Sequence, residues 1–338
     1  MILILEGALK CNRNCKYCYQ KILHGEGTLD YNKEAIAKTV KFLYKTYKDE
    51  IVLHGGEPLL LPLQDIEYFL KLSYELSGKS SICTSGLLIN ENHIKLFKKY
   101  NTSVSVSIDG FAEQNILRAS KEETERTLQN ISILADEDIP VCVMMVAHKL
   151  NYNYIFDFII KMSKTVKFFK INHESLTPYS ITPETLFLLW KKLAKLQMLP
   201  VGISIEPINT FIFNLLNNTN SECYTSLCDF NCTERAKRVM PNGEVYNCSV
   251  LPIQTPYSFK PSYKRYYILE RTECKGCKFW NYCYGGCAAY YYHKDKYCYA
   301  FYKIYEFLAN ILHINCRFRQ LFPGGWNESS IQYCSIQS

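Results

Sequence analysis

The sequence predicts an α/β protein built on a parallel sheet, and three observations carry that expectation. Short β-branched apolar segments alternate with amphipathic helical segments through the first 200 residues. Six such β-then-α units, at about 25 to 35 residues each, have the length of right-handed crossover connections. The 338 residues are 48% hydrophobic and 21% charged, enough chain to bury one large core or two smaller ones.

The strand segments are Ile2–Ala8, Ile51–Leu53, Ser81–Cys83, Ser103–Ile108, Val141–Ala147 and Val166–Ile171. Between and after them, helical patterns cover Lys33–Tyr47, Gln64–Leu76, Glu91–Lys99, Glu122–Ala135, Tyr154–Met162 and Pro183–Gln197. In the fourth of these, Leu128, Ile131, Leu134 and Ala135 recur at helical spacing. Periodicity leaves open whether the sheet is doubly wound or curled into a partial barrel. In both, chemistry belongs at the C-terminal ends of the strands. Beyond residue 205 the pattern changes. A polar stretch at Asn214–Ser221 precedes a hairpin signal, Pro241-Asn242-Gly243 between Lys237–Met240 and Glu244–Asn247. Dense cysteines and a last amphipathic helix, Tyr299–Ile314, follow. The expected division is therefore an α/β domain over 1–205, a small domain over 206–316 held together by metal, and a tail over 317–338.

Apolar runs of about five residues are far short of a membrane span, and no basic, apolar, small-residue secretory signal opens the chain. A cytoplasmic location is expected, without membrane attachment. The net charge of +7 is spread along the chain, which gives nucleic-acid binding little support. Sixteen cysteines are then anomalous, because thiols in a reducing compartment are kept for metal or catalysis. Five (Cys83, Cys142, Cys223, Cys316 and Cys334) stand alone, and eleven fall in tight groups. Cys83 and Cys142, inside strands, read as small buried core residues.

Cys11, Cys15 and Cys18 follow the first strand, with spacings that suit three corners of an iron-sulfur cube and leave one iron open. A zinc site with His24 as fourth ligand is the competing reading. One unit later, Gly55, Gly56 and Glu57 follow the second strand, where glycines permit close backbone approach and Glu57 offers a carboxylate to an amine. On this cysteine motif and Gly-Gly-Glu motif, the chain resembles the radical S-adenosylmethionine enzymes. The resemblance implies a partial (β/α)6 TIM-like barrel in which Cys11, Cys15 and Cys18 hold a 4Fe-4S cluster. The open iron would chelate the methionine amino and carboxylate groups of S-adenosylmethionine, whose reductive cleavage gives a 5′-deoxyadenosyl radical. By position, Gly55, Gly56 and Glu57 would hold the methionine amine, and Tyr17 would lie against the adenine. Thr84-Ser85-Gly86 resembles the family's Thr-Asn-Gly, with Ser85 in place of Asn. Ser107 and Arg118 match the polar pair that contacts the methionine carboxylate and ribose. The plain alternative for Arg118 is a surface residue at a helix start.

In the C-terminal part, Cys232, Gly243, Cys248, Cys274, Cys277, Cys283, Cys287 and Cys298 keep a register that resembles the SPASM domain of radical enzymes that mature peptides and proteins. A zinc ribbon accounts for Cys274 and Cys277 alone. The resemblance implies two auxiliary 4Fe-4S clusters. Cys274, Cys277, Cys283 and Cys298 would hold the distal one. Cys232, Cys248 and Cys287 would hold the nearer one, with Cys228 as fourth ligand in preference to Cys223 or an open iron.

The function so implied is a peptide maturase that abstracts hydrogen from a ribosomally made precursor and leaves a cross-link, an oxidation or a backbone rearrangement. The expected partners are the precursor peptide, a separate leader-recognition protein, since strand one starts at Ile2, and a flavodoxin- or ferredoxin-type electron donor. Anaerobic sulfatase maturases are the alternative, but these carry Asp after the hairpin cysteine where this chain has Ser249. A reading of another class is a non-enzymatic iron-sulfur carrier or zinc scaffold, which leaves the Gly-Gly-Glu loop and the βα series unexplained.

Overall fold

Seven parallel strands follow one another across the sheet in chain order, which settles the winding. The structure, a computed structural model, describes residues 2–24, 26–48, 50–217, 236–246, 277–283 and 297–315. The strands are β1 (Ile2–Ala8), β2 (Glu50–Gly55), β3 (Ser80–Thr84), β4 (Thr102–Ser107), β5 (Val141–Ala147), β6 (Phe168–His173) and β7 (Ser204–Glu206). Each pairs in parallel with the next. A doubly wound sheet reverses its order at a central switch point, whereas these seven strands keep one order and curl as a partial barrel. On the far side of β1 lies β8 (Ala236–Val239), also parallel, followed by antiparallel β9 (Val245–Tyr246). The predicted hairpin is present, with Gly243 at φ 84°, and its first strand continues the barrel sheet.

The helices are α1 (Tyr19–His24), α2 (Lys33–Tyr47), α3 (Leu63–Ser77), α4 (Glu91–Lys99), α5 (Lys121–Asp136), α6 (Ile155–Met162), α7 (Pro183–Gln197), α8 (Ile208–Asn217), α9 (Trp280–Cys283) and α10 (Cys298–Asn315). Their starts are fixed chemically. Asn32 accepts from the Ala35 amide at the head of α2, and Ser120 and Glu123 close a reciprocal capping box on α5. β7 and α8 go beyond the sequence expectation. β7 has only three residues, too few for a readable period. Asn214, expected in a polar loop, is fully buried on α8 with its amide 3.4 Å from the Tyr305 hydroxyl.

The main core lies between sheet and helices, where Ile36, Val40, Ile66, Phe69, Ile131 and Leu193 meet strand residues such as Leu5, Ile82 and Val143. Trp190 of α7, Phe211 of α8 and Phe301 and Tyr305 of α10 interlock edge to face, with Trp190 and Phe301 centroids 5.0 Å apart. Because strand side chains alternate, a second apolar group of Val52, Cys83, Cys142 and Met144 is separate from this core. Cys142 is disulfide-bonded and so is not the plain core thiol the sequence suggested. Among the described residues no helix is long and apolar enough to cross a membrane.

Candidate active site

The C-terminal ends of the strands surround one cavity, and the loops that follow them supply most of its wall. Cys11, Cys15, Cys18 and Tyr17 line it from the loop after β1, Gly55 and Gly56 from the end of β2, Ser85 from beyond β3, Ser107 from the end of β4, and Arg118 from ahead of α5. Nine of the positions singled out in the first domain therefore share one chamber.

The cysteine loop is held from two sides. Arg13, which is buried, pairs with Glu123 of α5 at 2.7 Å and donates to the Thr127 hydroxyl at 3.1 Å. On the other side the Gly56 amide donates to Ala8 O at 2.9 Å and the Glu57 amide to Lys10 O at 2.8 Å. That approach explains the two glycines. A Cβ on Gly56 would stand 2.2 Å from both Leu9 O and Lys10 O, and one on Gly55, at φ +143°, would stand 2.1 Å from Ala8 O. Backbone cannot yield as a flexible side chain does, so both positions require glycine. The glycines bring the β2 loop against the cysteine loop as well as facing the cavity.

Glu57 is placed differently from Gly55 and Gly56. It is fully buried and is not part of the cavity wall. Its Oε1 accepts from the Leu59 amide at 3.1 Å and the Thr84 hydroxyl at 2.6 Å, and its Oε2 accepts from the Ser85 amide at 2.6 Å. The carboxylate thus fastens the β2 loop to the β3 loop, which carries Ser85.

Arg118 is not a surface residue. Its side chain is 12% exposed, its Nη2 lies 3.1 Å from Asp109 Oδ1, and its guanidinium stands 5.5 Å from the Tyr17 ring centroid. The Tyr17 hydroxyl donates to Asp109 Oδ2, and the Val146 amide donates to Oδ1 at 2.8 Å. His148 Nε2 is 3.8 Å from Asp109 Oδ2. Burial works to raise the Asp109 carboxyl, but Arg118 and His148 outweigh it and hold it at about 2. Asp109 thus orients two cavity groups at once, Tyr17 and Arg118. Nothing in the sequence alone marks Asp109 for this role.

A second buried charge group was also missed. Glu6 of β1 is fully buried, with Arg238 Nε at 2.5 Å and His54 Nδ1 at 3.6 Å from its Oε1. His54, Arg238, Cys83 and Met144 line the cavity. Burial pushes Glu6 up, yet Arg238 and His54 bring it down to about 2. For His54, burial works downward but the Cys83 sulfur and the Glu6 carboxylate hold it up at about 10. The available signal was a lone carboxylate inside an otherwise apolar strand, which must be paired if buried.

At the end of β6, His173 and the following Glu174 also line the cavity. Glu174 binds its own loop through the Leu176 and Thr177 amides and the Ser180 hydroxyl. The Tyr297 hydroxyl, just before α10, donates to Glu174 O and Ile181 O, which ties the C-terminal helix to this loop. Burial brings His173 down to about 4, so it is neutral.

Of the C-terminal cysteines, Cys277, Cys283 and Cys298 are described and lie at or beside α9 and α10. Cys228, Cys232, Cys248, Cys274 and Cys287 lie outside the described residues, as do Cys223 and the His24 side chain. Among the described residues no three thiol, imidazole or carboxylate groups converge on a single metal ion.

A partial βα barrel with three cysteines after its first strand and a glycine cradle after its second defines a radical S-adenosylmethionine protein. The family model of the Radical SAM superfamily matches residues 6–160, from the end of β1 through β5 to α6. An uncharacterised protein of Methanocaldococcus jannaschii is 29% identical over 164 residues, which is 46% of this chain and 56% of that protein. The match thus spans little more than half of this relative's length. A cysteine-type anaerobic sulfatase-maturating enzyme of Clostridium novyi is 24% identical over 345 residues, covering 85% of this chain and 87% of its own. Among solved structures, native anSMEcpe with bound AdoMet superposes with a TM-score of 0.74 at 19% identity, covering 93% of this chain and 98% of its own. Streptococcus suis SuiB bound to S-adenosylmethionine gives 0.64 at 16%, covering 87% and 74%.

A radical SAM domain over residues 6–160 implies S-adenosylmethionine and a 4Fe-4S cluster, and the residues present fit both. Cys11, Cys15 and Cys18 are free, partly buried and turned to one cavity. Burial pushes the Cys11 thiol up to about 11, and Glu57, Cys15 and Cys18 add to the rise while the Arg13 amide opposes it. Such a set is completed by a cation. The buried Asn12 Nδ2 and Tyr19 hydroxyl have no hydrogen-bond partner, as expected of walls built around a further group.

Proposed function

We propose that this chain is a radical S-adenosylmethionine enzyme that modifies a peptide or protein, with a ribosomally made precursor peptide as its first substrate class. The observation that supports it best is the single cavity that gathers Cys11, Cys15 and Cys18 with Gly55, Gly56, Ser85, Ser107, Tyr17 and Arg118. When bound, the cluster and cosubstrate supply a carbon-centred radical that removes a hydrogen atom from the substrate.

The chain's own residues bind and orient. Cys11, Cys15 and Cys18 hold the cluster. Gly55 and Gly56 leave room beside it for the cosubstrate's methionine end, and Glu57 sets the loop that presents Ser85. Arg118, held by Asp109, offers a fixed cation to a carboxylate, and Tyr17 presents its ring to the adenine. Ser107 offers a hydroxyl at the end of β4. The C-terminal region is read as a SPASM domain with two auxiliary clusters, one on Cys274, Cys277, Cys283 and Cys298 and one on Cys228, Cys232, Cys248 and Cys287. A leader-recognition protein and a flavodoxin- or ferredoxin-type carrier are the proposed partners.

Peptide substrates are supported by the related folds, since anSMEcpe has been solved with a bound peptide and SuiB with its precursor peptide SuiA. A sulfatase-maturase-like activity is the second reading, favoured by the near full-length match to the Clostridium novyi enzyme. Ser249 in place of the expected acid counts against it.

Anaerobic reconstitution tests the proposal. Three cubes correspond to roughly twelve iron per chain, and reductant should release 5′-deoxyadenosine. Stoichiometric zinc without cosubstrate cleavage would overturn it. Mass spectrometry of a peptide encoded beside this chain, set against a sulfatase-derived peptide, separates the two readings.

A further inference from the structure

The residues given above to the cluster and cosubstrate come from the loops after β1 to β4, and the end of β6 supplies a further stretch of cavity wall, Asn172 to Leu176. This stretch opens a loop that is closed on itself. The Glu174 carboxylate accepts from the Leu176 and Thr177 amides at 2.7 and 2.9 Å and from the Ser180 hydroxyl at 2.7 Å. On the β5 side the Lys149 amide and ammonium donate to Tyr179 O and Pro178 O. From the C-terminal segment the tie is Tyr297, the residue immediately before Cys298. Its hydroxyl reaches Glu174 O at 3.1 Å and Ile181 O at 2.7 Å, the two ends of the loop, and its ring centroid is 4.5 Å from that of the cavity-lining His173. Tyr297 is buried, whereas Cys298 at the head of α10 is exposed. Behind it, Tyr302 stands one turn past Cys298 and packs on Phe279 at 5.1 Å between centroids, and the Tyr305 hydroxyl donates to Tyr282 O at 3.2 Å. Phe279 and Tyr282 flank the segment that carries Cys277 and Cys283, so the three described cysteines belong to one framework that ends in the Tyr297 hydroxyl.

We infer that Tyr297 is a positioning residue that couples the Cys277, Cys283 and Cys298 site to the cavity. The inference rests on the reading of these cysteines as cluster ligands, a donor set of the kind an iron-sulfur cube takes. A cube bound there fixes the start of α10, and the Tyr297 hydroxyl passes that order to both ends of the β6 loop. The loop in turn sets Asn172 to Leu176, the wall left for the substrate once the cosubstrate residues are placed. The path is short and made of contacts: one peptide bond from Cys298 to Tyr297, one hydroxyl to two carbonyl oxygens, and one ring against His173. The C-terminal site thereby shapes the cavity, a role separate from carrying electrons. Linkage makes the effect reciprocal, so that an ordered loop also steadies the cysteine site.

Anaerobic amide hydrogen exchange of the reconstituted holoprotein, read by mass spectrometry over residues 174–181, tests the coupling in the parent, Tyr297→Phe, Cys298→Ala and the double variant. Tyr297→Phe keeps the ring and removes the hydroxyl. It should speed exchange of the loop about fivefold, the worth of one hydrogen bond, with iron content and the exchange of β2 to β4 unchanged. Cys298→Ala should lose iron and speed the same loop. Adding Tyr297→Phe to Cys298→Ala should then change little, because the second substitution cuts a link already slack. Effects that simply add, or a loop indifferent to Cys298→Ala while iron is lost, overturn the inference and leave the cluster reading standing. A loop unchanged in Tyr297→Phe overturns it as well, whether or not Cys298→Ala folds. Iron content unchanged in a folded Cys298→Ala protein removes both the ligand reading and the coupling.

Discussion

Arg238 of β8 places its Nε 2.5 Å from Glu6 Oε1 of β1, joining two buried side chains 232 positions apart in the chain. Arg238 lines the cavity and Glu6 does not, and both are buried, so their attraction acts where water screens it little. Removing one partner leaves the other charge buried. Glu6→Gln should therefore destabilise the holoprotein by about 3–5 kcal/mol, and Glu6→Gln combined with Arg238→Met should recover part of that loss. Denaturant unfolding of the set checks this, and a cost under about 1 kcal/mol would mean the pair is solvated.

His54 makes stability depend on pH in a defined direction. Its value is about 10 in the fold against 6.5 ordinarily, so the folded state binds this proton more tightly. The stability it brings is complete below 6.5 and is lost as pH rises toward 10. The groups facing it are Glu6 from β1, Cys83 from β3 and, through Glu6, Arg238 from β8. Unfolding of the holoprotein at intervals across that window should show the parent protein losing stability and His54→Gln losing less. Parallel curves would show that His54 is neutral in the fold.

Asp109 should control cosubstrate affinity without contacting the cosubstrate. Asp109→Asn keeps the shape but gives up the charge that anchors Arg118 and the acceptor that fixes Tyr17. Loss of a charged hydrogen bond amounts to about 1.5–3 kcal/mol, or roughly a ten- to hundredfold weaker Kd for S-adenosylmethionine. Anaerobic titration calorimetry measures it, with iron content unchanged as the sign that the cysteine loop is intact. Equal affinity would show that Tyr17 and Arg118 hold their places unaided.

Two glycine substitutions should differ sharply. Gly78 ends α3 at φ +75° with nothing within 4 Å of an added methyl, so Gly78→Ala should cost about 1–2 kcal/mol. Gly56→Ala drives a methyl into two backbone oxygens of the cysteine loop. It should lower stability further and reduce iron uptake, read by thermal unfolding and iron analysis. Similar behaviour of the two would mean that the β2 and β1 loops can part.

Much of the fold was legible because each βα unit states its own period. Lys33–Tyr47, Glu91–Lys99 and Val141–Ala147 begin and end in the structure where periodicity places them. The first site was legible in part for a similar reason. The cysteine and glycine loops are short, local and glycine-dependent, so their spacing survives in one dimension. β7 and α8 were not legible, since three residues carry no period and the buried Asn214 looks polar out of context. Asp109 and Glu6 were visible as residues but mute, because a carboxylate acquires a role only through what stands opposite it.

The amino-acid order by itself determined the winding units, the thiols available to a cluster and the glycines that let two loops touch. Tertiary structure alone decided that the first seven strands keep one order, that β8 returns to the far side of β1, and that Glu57 faces a neighbouring loop. It also decided between the two readings of Arg118, putting it on the cavity wall and not on the surface, and placed Cys83 beside His54. The physical reason is range. Periodicity, capping and backbone sterics act over a few residues, whereas the charge and burial of a side chain are set by partners that only folding brings within a few ångströms.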